Sequence, residues 1–458
     1  MPSPEQNKLA VQNLIAKANG VTGKSDTDLT SAVDELVAGY GQGGSGGGLD
    51  INGVIREYEV NAGASVSAGD FVEFVNKVSW GNGIFNSATS SYISACKLDN
   101  SRVLITYQNS SNTLSAVVLS IEDGAVVIGA ETIFSEGGCG GISAITLTDK
   151  KAIIVYSDTS NSNYGTAVLL AIDGSDITVV SRHTFTSTAT SSICAISVAS
   201  NNVLVIYSQY AIVLAIENEI ITNGSAIKFE NYSTSYHAAE VLSGGRVLVA
   251  YNYRGSSGYA IVFTVNGTAV SKGTEVSITG NPQYISLAKL TDDKVIVVSQ
   301  NFNNSYVGTS QLLTIAGTSI SAGTAVLFNT SGSQYISAVG LTDSSALVIF
   351  SEGTAGKAVI LTVSGSTVSV GTEIGFDTSK GRSNRSIILF SPNNALLIYD
   401  TGSQGKYQSF SIEGAVATPD SAVSGEILIQ KATSNLHNVG VAKTAGAEGE
   451  MVEVYCAV

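Results

Sequence analysis

The chain reads as a mainly β protein: a seven-bladed β-propeller inserted in a small β-barrel or sandwich domain and preceded by an N-terminal α-helical hairpin. Three observations carry that prediction. A β-rich segment recurs seven times at intervals of 44 to 51 residues, two alternating β-type stretches flank the array, and the first 40 residues carry helical periodicity.

From Pro4 to Asn19 the apolar residues Leu9, Leu14, Ile15 and Ala18 fall at helical spacing, and the run stops at Gly20. A second run follows the capping oxygens of Ser25, Asp26, Thr27 and Asp28, presents Leu29, Val33, Leu36 and Val37, and ends at Gly39. Neither helix is long enough to hold alone in water. Residues 1–40 are therefore expected to bury Leu9, Leu14, Ile15, Leu29, Val33 and Leu36 on a partner or on copies of themselves, as an attachment module. Residues 41–48, GQGGSGGG, form a flexible tether.

The array starts near residue 85. Aligning Ile93, Ile142, Ile193, His237, Ile285, Ile336 and Arg385 gives intervals of 49, 51, 44, 48, 51 and 49. The residue 14 places after each anchor closes an apolar run: Tyr107, Tyr156, Tyr207, Tyr251, Ser299, Phe350 and Tyr399. Each copy holds four β-type segments, and the third turn carries glycine in most copies, as tight hairpins demand. Four antiparallel strands at this period make a propeller blade.

The seventh copy lacks its fourth strand: residues 415–424, AVATPDSAVS, contain no equivalent of Thr372–Phe376. An orphan strand ending in Phe85 stands eight residues before Ile93, as Phe134, Phe185, Phe229 and Phe328 stand before their next anchors. A strand at 75–85 is therefore expected to complete the last blade and leave no open edge. The propeller then spans 76–423. Residues 49–75 and 424–458, too short to make stable sheets separately, combine into the split β-domain.

A formal charge of −14 argues against nucleic acid as a partner, and no apolar run approaches the roughly 18 residues of a membrane span. No secretion signal opens the sequence, so synthesis and folding in a cytoplasm are expected. Cys96, Cys139, Cys194 and Cys456 are too scattered for a metal site and read as buried thiols. His183, His237 and His437 fall at non-equivalent positions, and Asp292 and Asp293 sit in a turn, where aspartate is a turn former. Residues 158–163, DTSNSN, resemble a calcium loop but lack its terminal glutamate. No catalytic residues, metal or cofactor are expected.

What remains is a face. The loops from fourth to first strand (86–92, 230–236, 279–284, 329–335) and from second to third strand (158–165, 252–259, 301–307) open on one side of a propeller. They are rich in Tyr, Asn, Ser and Gly and nearly free of Lys and Glu. Rigid aromatic area beside adaptable hydrogen bonding suits recognition. Tyr92, Tyr164, Tyr236, Tyr253, Tyr259, Tyr284, Tyr306 and Tyr335 are the candidate receptor contacts.

The opening EQNKLAVQNLIAKANGVTGKSDTDLTSAVDELVAGYGQGG resembles the helical module of phage and prophage fibre and tail-associated proteins of Firmicutes. GDFVEFVNK near residue 70, with the ending NVGVAKTAGAEGEMVEVYCAV, resembles the small β-domain of phage head-fibre proteins. In that family the domain is not split by a propeller, so a plain capsid-decoration role does not carry over whole. The resemblance implies a non-enzymatic virion surface protein, assembled in the bacterial cytoplasm. It would be oligomeric through its N-terminal helices, bound to capsid or tail proteins, and would present the propeller to a host-surface glycan or protein. The alternatives are a tail polysaccharide depolymerase and a bacterial lectin or scaffold propeller.

Overall fold

The computed structural model describes residues 55–59, 71–122, 125–377, 385–420, 423–431, 439–442 and 451–456, with side chains over 80–122, 125–377 and 385–420. The helical hairpin with its six attachment residues, the glycine tether and His437 lie outside the described residues. The chain divides into two compact units, residues 79–424 and the paired ends 1–78 with 425–458. In the second of these, five strands form one sheet in the order Ile55–Glu59, Met451–Cys456, Val439–Ala442, Phe71–Trp80, Val423–Lys431. The C-terminal hairpin is antiparallel to both N-terminal strands, so the sheet interleaves the two ends of the chain.

Residues 79–424 are almost entirely β, and the single helical turn among the described residues is the 3-10 segment Thr159–Asn161. The unit has a β-propeller arrangement of antiparallel sheets. Second and third strands are buried on both faces, because each sheet is packed between two others. The runs Val103–Tyr107 and Ala346–Phe350 are accordingly buried at every position, and all but Thr106 are apolar or aromatic. First strands are half-buried along much of their length. They follow one another around a closed ring, and the last, Ser386–Ser391, lies beside the first, Ser91–Lys97.

Where the sequence predicts seven blades, the hydrogen bonding separates five single-repeat sheets, and repeats five and six run together in one nine-stranded sheet. The fusion arises in Val326–Thr342, which stays extended where the sequence predicts a loop at 329–335. Gly332 pairs with Val307 in one repeat and Ser333 with Glu352 in the next, so the chain crosses while still bonded.

Closure also differs in detail. The predicted strand at 75–85 breaks at Gly81, which has φ +61°, and only Asn82–Asn86 pairs with the third strand of the last repeat, Gly405–Glu413. The other half of that fourth strand comes from the C-terminal side, where Val416–Pro419 pairs with the same strand. Phe85 lies in the sheet that holds Tyr399. A Cβ on Gly405 would run into the Phe85 ring, as one on Gly165, Gly308 or Gly356 would meet Phe185, Phe328 or Phe376. The missing side chain lets a phenylalanine lie across the third strand and reach the next repeat.

There it meets the aromatic residue that closes the second strand. Edge-on pairs Phe85–Tyr107, Phe134–Tyr156, Phe185–Tyr207, Phe229–Tyr251, Phe328–Phe350 and Phe376–Tyr399 have ring centroids 5.2 to 6.1 Å apart. At the remaining junction Ile278 and Ser299 take these places. A void of about 10 Å³, enough for one water, lies there among Ser299, Thr309 and Gln311. On the inner strands, backbone N–H groups of Ala95, Ala144, Ala195 and Ala338 donate to Ser386, Ser94, Ser143 and Ser286 of the preceding repeats at 2.9 to 3.2 Å. Cys194 takes the serine's place against Ala239. This belt of short polar side chains ties neighbouring inner strands together.

Candidate recognition face

Three loops of repeats four and five are laced into one platform. The Arg254 N–H donates to Ser233 O at 3.2 Å, Asn281 Nδ2 to Gly255 O at 2.7 Å, and buried Asn252 Nδ2 to Asn281 Oδ1 at 2.6 Å. Tyr232 and Tyr253 pack edge to face at 5.9 Å, Tyr253 and Tyr259 likewise at 5.9 Å, and Tyr259 leans on buried Tyr251. The Arg254 guanidinium lies 4.1 Å above the centre of the Tyr232 ring. In the next repeat, exposed Phe302 and Tyr306 pack edge to face at 5.1 Å.

A second group sits on the inner strands. Tyr236, Tyr284 and Tyr335 occupy the same register position in consecutive repeats, each left-handed at φ of 48 to 52°. Each lies in a break of the strand register, between Ser235 and Ala238, Gln283 and Ser286, and Gln334 and Ser337. Such bulges re-aim a side chain out of the sheet's alternation. The result is a continuous arc, with centroid separations of 5.5 Å for Tyr236–Tyr284 and 5.0 Å for Tyr284–Tyr335. Burial and the neighbouring phenols push the Tyr284 hydroxyl up to about 12. The equivalent positions in the first three repeats carry Tyr92, Gly141 and Ser192.

The eight tyrosines proposed from sequence thus fall into distinct places. Tyr236, Tyr284 and Tyr335 meet one another, Tyr253 joins Tyr259, and Tyr306 joins Phe302. Tyr92 packs on the apolar cluster of the first two repeats, and Tyr164 stands apart, half-exposed. Sequence reasoning placed Tyr232, Arg254 and Phe302 inside candidate loops without singling them out; their aromatic or cationic character within Asn/Ser-rich segments was the available signal.

Other polar groups have structural partners. His237 is hydrogen-bonded to Thr234 Oγ1 at 2.6 Å and through Nδ1 to the Ser192 carbonyl, and burial pushes it down to about 4. His183 bonds Asn223 at 2.8 Å. Asp158 accepts from the Ser160 N–H and hydroxyl, capping a turn, and Asp292 pairs with Lys289 at 2.8 Å. Cys96, Cys139 and Cys194 are free thiols pushed up to about 12 by burial. The Tyr251 hydroxyl donates to Glu230 at 2.6 Å or to Glu275 at 2.9 Å. Burial first, then the Glu275 carboxyl, raises Glu230 above the usual carboxylate range. Among the described residues no cluster of three or more His, Cys, Asp or Glu is placed to hold a metal.

No protein-family profile matches the chain, and no curated protein does. Among solved structures, a candidate 6-phosphogluconolactonase of Bacteroides fragilis is similar, at 12% identity and TM-score 0.52 over 73% of this chain and 97% of that one. Hsv2 of Kluyveromyces lactis aligns at 11% identity and TM-score 0.46, over 74% of this chain and 97% of that one. At these identities the likeness is one of fold alone.

Proposed function

We propose that the chain is a non-enzymatic recognition protein of a phage virion surface, held by its N-terminal helices and presenting the loop face of its propeller to a host-surface glycan. The observation that carries this reading is the concentration of half-exposed and exposed aromatics on the hydrogen-bonded platform of repeats four and five. Tyrosine rings stack on the C–H faces of sugars while Asn and Ser meet hydroxyl edges, and a rigid platform loses little entropy on binding. The same reading takes the ring as seven-bladed, the nine-stranded sheet counting as two blades. The serine belt, which runs from inner strand to inner strand without regard to sheet boundaries, supports that count.

A hydrolytic reading has one structural candidate, the Glu230 and Glu275 pair on the Tyr251 hydroxyl. Both carboxyls reach the Tyr251 hydroxyl, at 2.6 and 2.9 Å, so a phenol stands between them where the paired carboxylates of a glycosidase hold a sugar. The test is twofold. Labelled full-length protein should bind host cells and lose binding after Tyr253→Ala at unchanged melting temperature, and antibody to the chain should decorate purified virions. Release of reducing ends from host envelope polysaccharide, abolished by Glu230→Gln, would replace this reading with the depolymerase one.

A further inference from the structure

We infer that the hairpin tip of repeat four is a subsite for the negatively charged substituent of a saccharide, with Arg254 as its anion contact and Tyr232, Tyr253 and Tyr259 as its sugar platform. The inference rests on the glycan reading above and specifies its ligand. In the loops 229–237, 252–259, 278–285 and 301–307, Arg254 is the sole Lys or Arg and Glu230 the sole Asp or Glu. Glu230 is engaged by the Tyr251 hydroxyl and the Glu275 carboxyl. Arg254 has no ion pair among the described residues, in a chain where acids outnumber bases by 37 to 23. An exposed arginine left unpaired amid such an excess of carboxylates is available to an incoming anion.

Its placement is also specified. Arg254 and Gly255 are the central residues of the turn at a hairpin tip, where the Ser256 N–H donates to Tyr253 O at 3.1 Å inside the Tyr253–Ser257 pair and φ is +57° and +66° at the two central positions. Turns of this kind favour Asn or Asp before Gly, since an arginine Cβ is disfavoured at positive φ. Here the arginine is fixed from both ends, by its N–H on Ser233 O and by its guanidinium on the Tyr232 ring. Stacking occupies the guanidinium face and leaves the in-plane N–H groups for a carboxylate or phosphate. The three tyrosines in edge contact beside it offer ring surface for the sugar that carries that group. The shared chemistry is an acidic sugar, with a uronate or a phosphate substituent.

The experiment is a binding panel of matched oligosaccharides on the intact chain: oligogalacturonate against its carboxyl-reduced form, and phosphomannan fragments against their dephosphorylated form. The expected result is at least tenfold tighter binding of one acidic member than of its neutral counterpart, a preference that Arg254→Gln removes and Arg254→Lys partly keeps at unchanged melting temperature. Which pair shows the preference distinguishes uronate from phosphate. Equal binding of acidic and neutral members, or an acid preference that survives Arg254→Gln, overturns the inference and leaves the glycan reading standing. Binding of neither pair overturns both.

Discussion

The aromatic pairs between repeats and the aromatic group on the loop face use the same residue types under different rules. Between repeats, a phenylalanine meets the ring 22 or 23 residues further on at six junctions, from Phe85–Tyr107 to Phe376–Tyr399. On the loop face, Tyr232, Tyr253, Phe302 and Tyr306 have no such recurrence. A position that the fold needs is repeated wherever the fold repeats, whereas a position that serves a ligand is needed once. On the recognition reading proposed above, periodicity separates structural from ligand-facing aromatics. The inner-strand arc stands between the two, since its bulge recurs but its tyrosine is present at Tyr92, Tyr236, Tyr284 and Tyr335 and absent at Gly141 and Ser192.

The largest effect should come from the closing pair. Phe85→Ala removes a buried ring that covers Gly405 and locks onto Tyr107, and is expected to cost about 3–5 kcal/mol in urea unfolding. Tyr107→Ala should cost a similar amount, and the double variant less than the sum, because the two rings share one contact. Additive losses would show that the pair is not a unit.

The inner strand Thr234–Leu242 joins the two regions and gives a pH test. Burial raises the Glu240 carboxyl from 4.5 to about 7, so its proton is held longer in the folded chain, and stability present below pH 4.5 is lost as pH rises through 7. His237 acts oppositely: lowered from 6.5 to about 4, it favours the fold above pH 6.5 and that contribution is lost as pH falls toward 4. Glu240→Gln should therefore stabilise the protein by about 2 kcal/mol at pH 8 and hardly at all at pH 4.5. Denaturation midpoints at the two pH values measure it, and an equal gain at both would remove the titration from the explanation.

On the loop face the expected effects move from stability to binding. Tyr232→Ala and Tyr253→Ala should change unfolding by less than about 1 kcal/mol, as surface substitutions do, while weakening cell binding about tenfold. The smallest effect belongs to Tyr164→Ala, half-exposed and outside both aromatic groups, which should leave binding unchanged and stability within about 0.5 kcal/mol. Binding lost at Tyr164 and kept at Tyr253 would move the recognition face to the second repeat.

Much of this architecture is legible in the chain. Strand alternation, turn glycines and the fixed spacing from anchor to closing aromatic are short-range properties, and they repeat often enough to reveal the β array and the need for an N-terminal strand at its seam. They even name Phe85 as the residue that completes the last repeat. Other features depend on which distant segments become neighbours when the ring closes. The last fourth strand is shared between Asn82–Asn86 and Val416–Pro419, since each half pairs with a different stretch of one third strand. Repeats five and six fuse because Val326–Thr342 finds partners on both sides. The Tyr236–Tyr284–Tyr335 arc joins residues about 50 positions apart through bulges that turn their rings toward one another, and Arg254 finds Tyr232 across two loops. Local chemistry determined the elements and their period. Tertiary packing decided which rings and charges meet, because those contacts lie between segments whose separation in sequence carries no local signal.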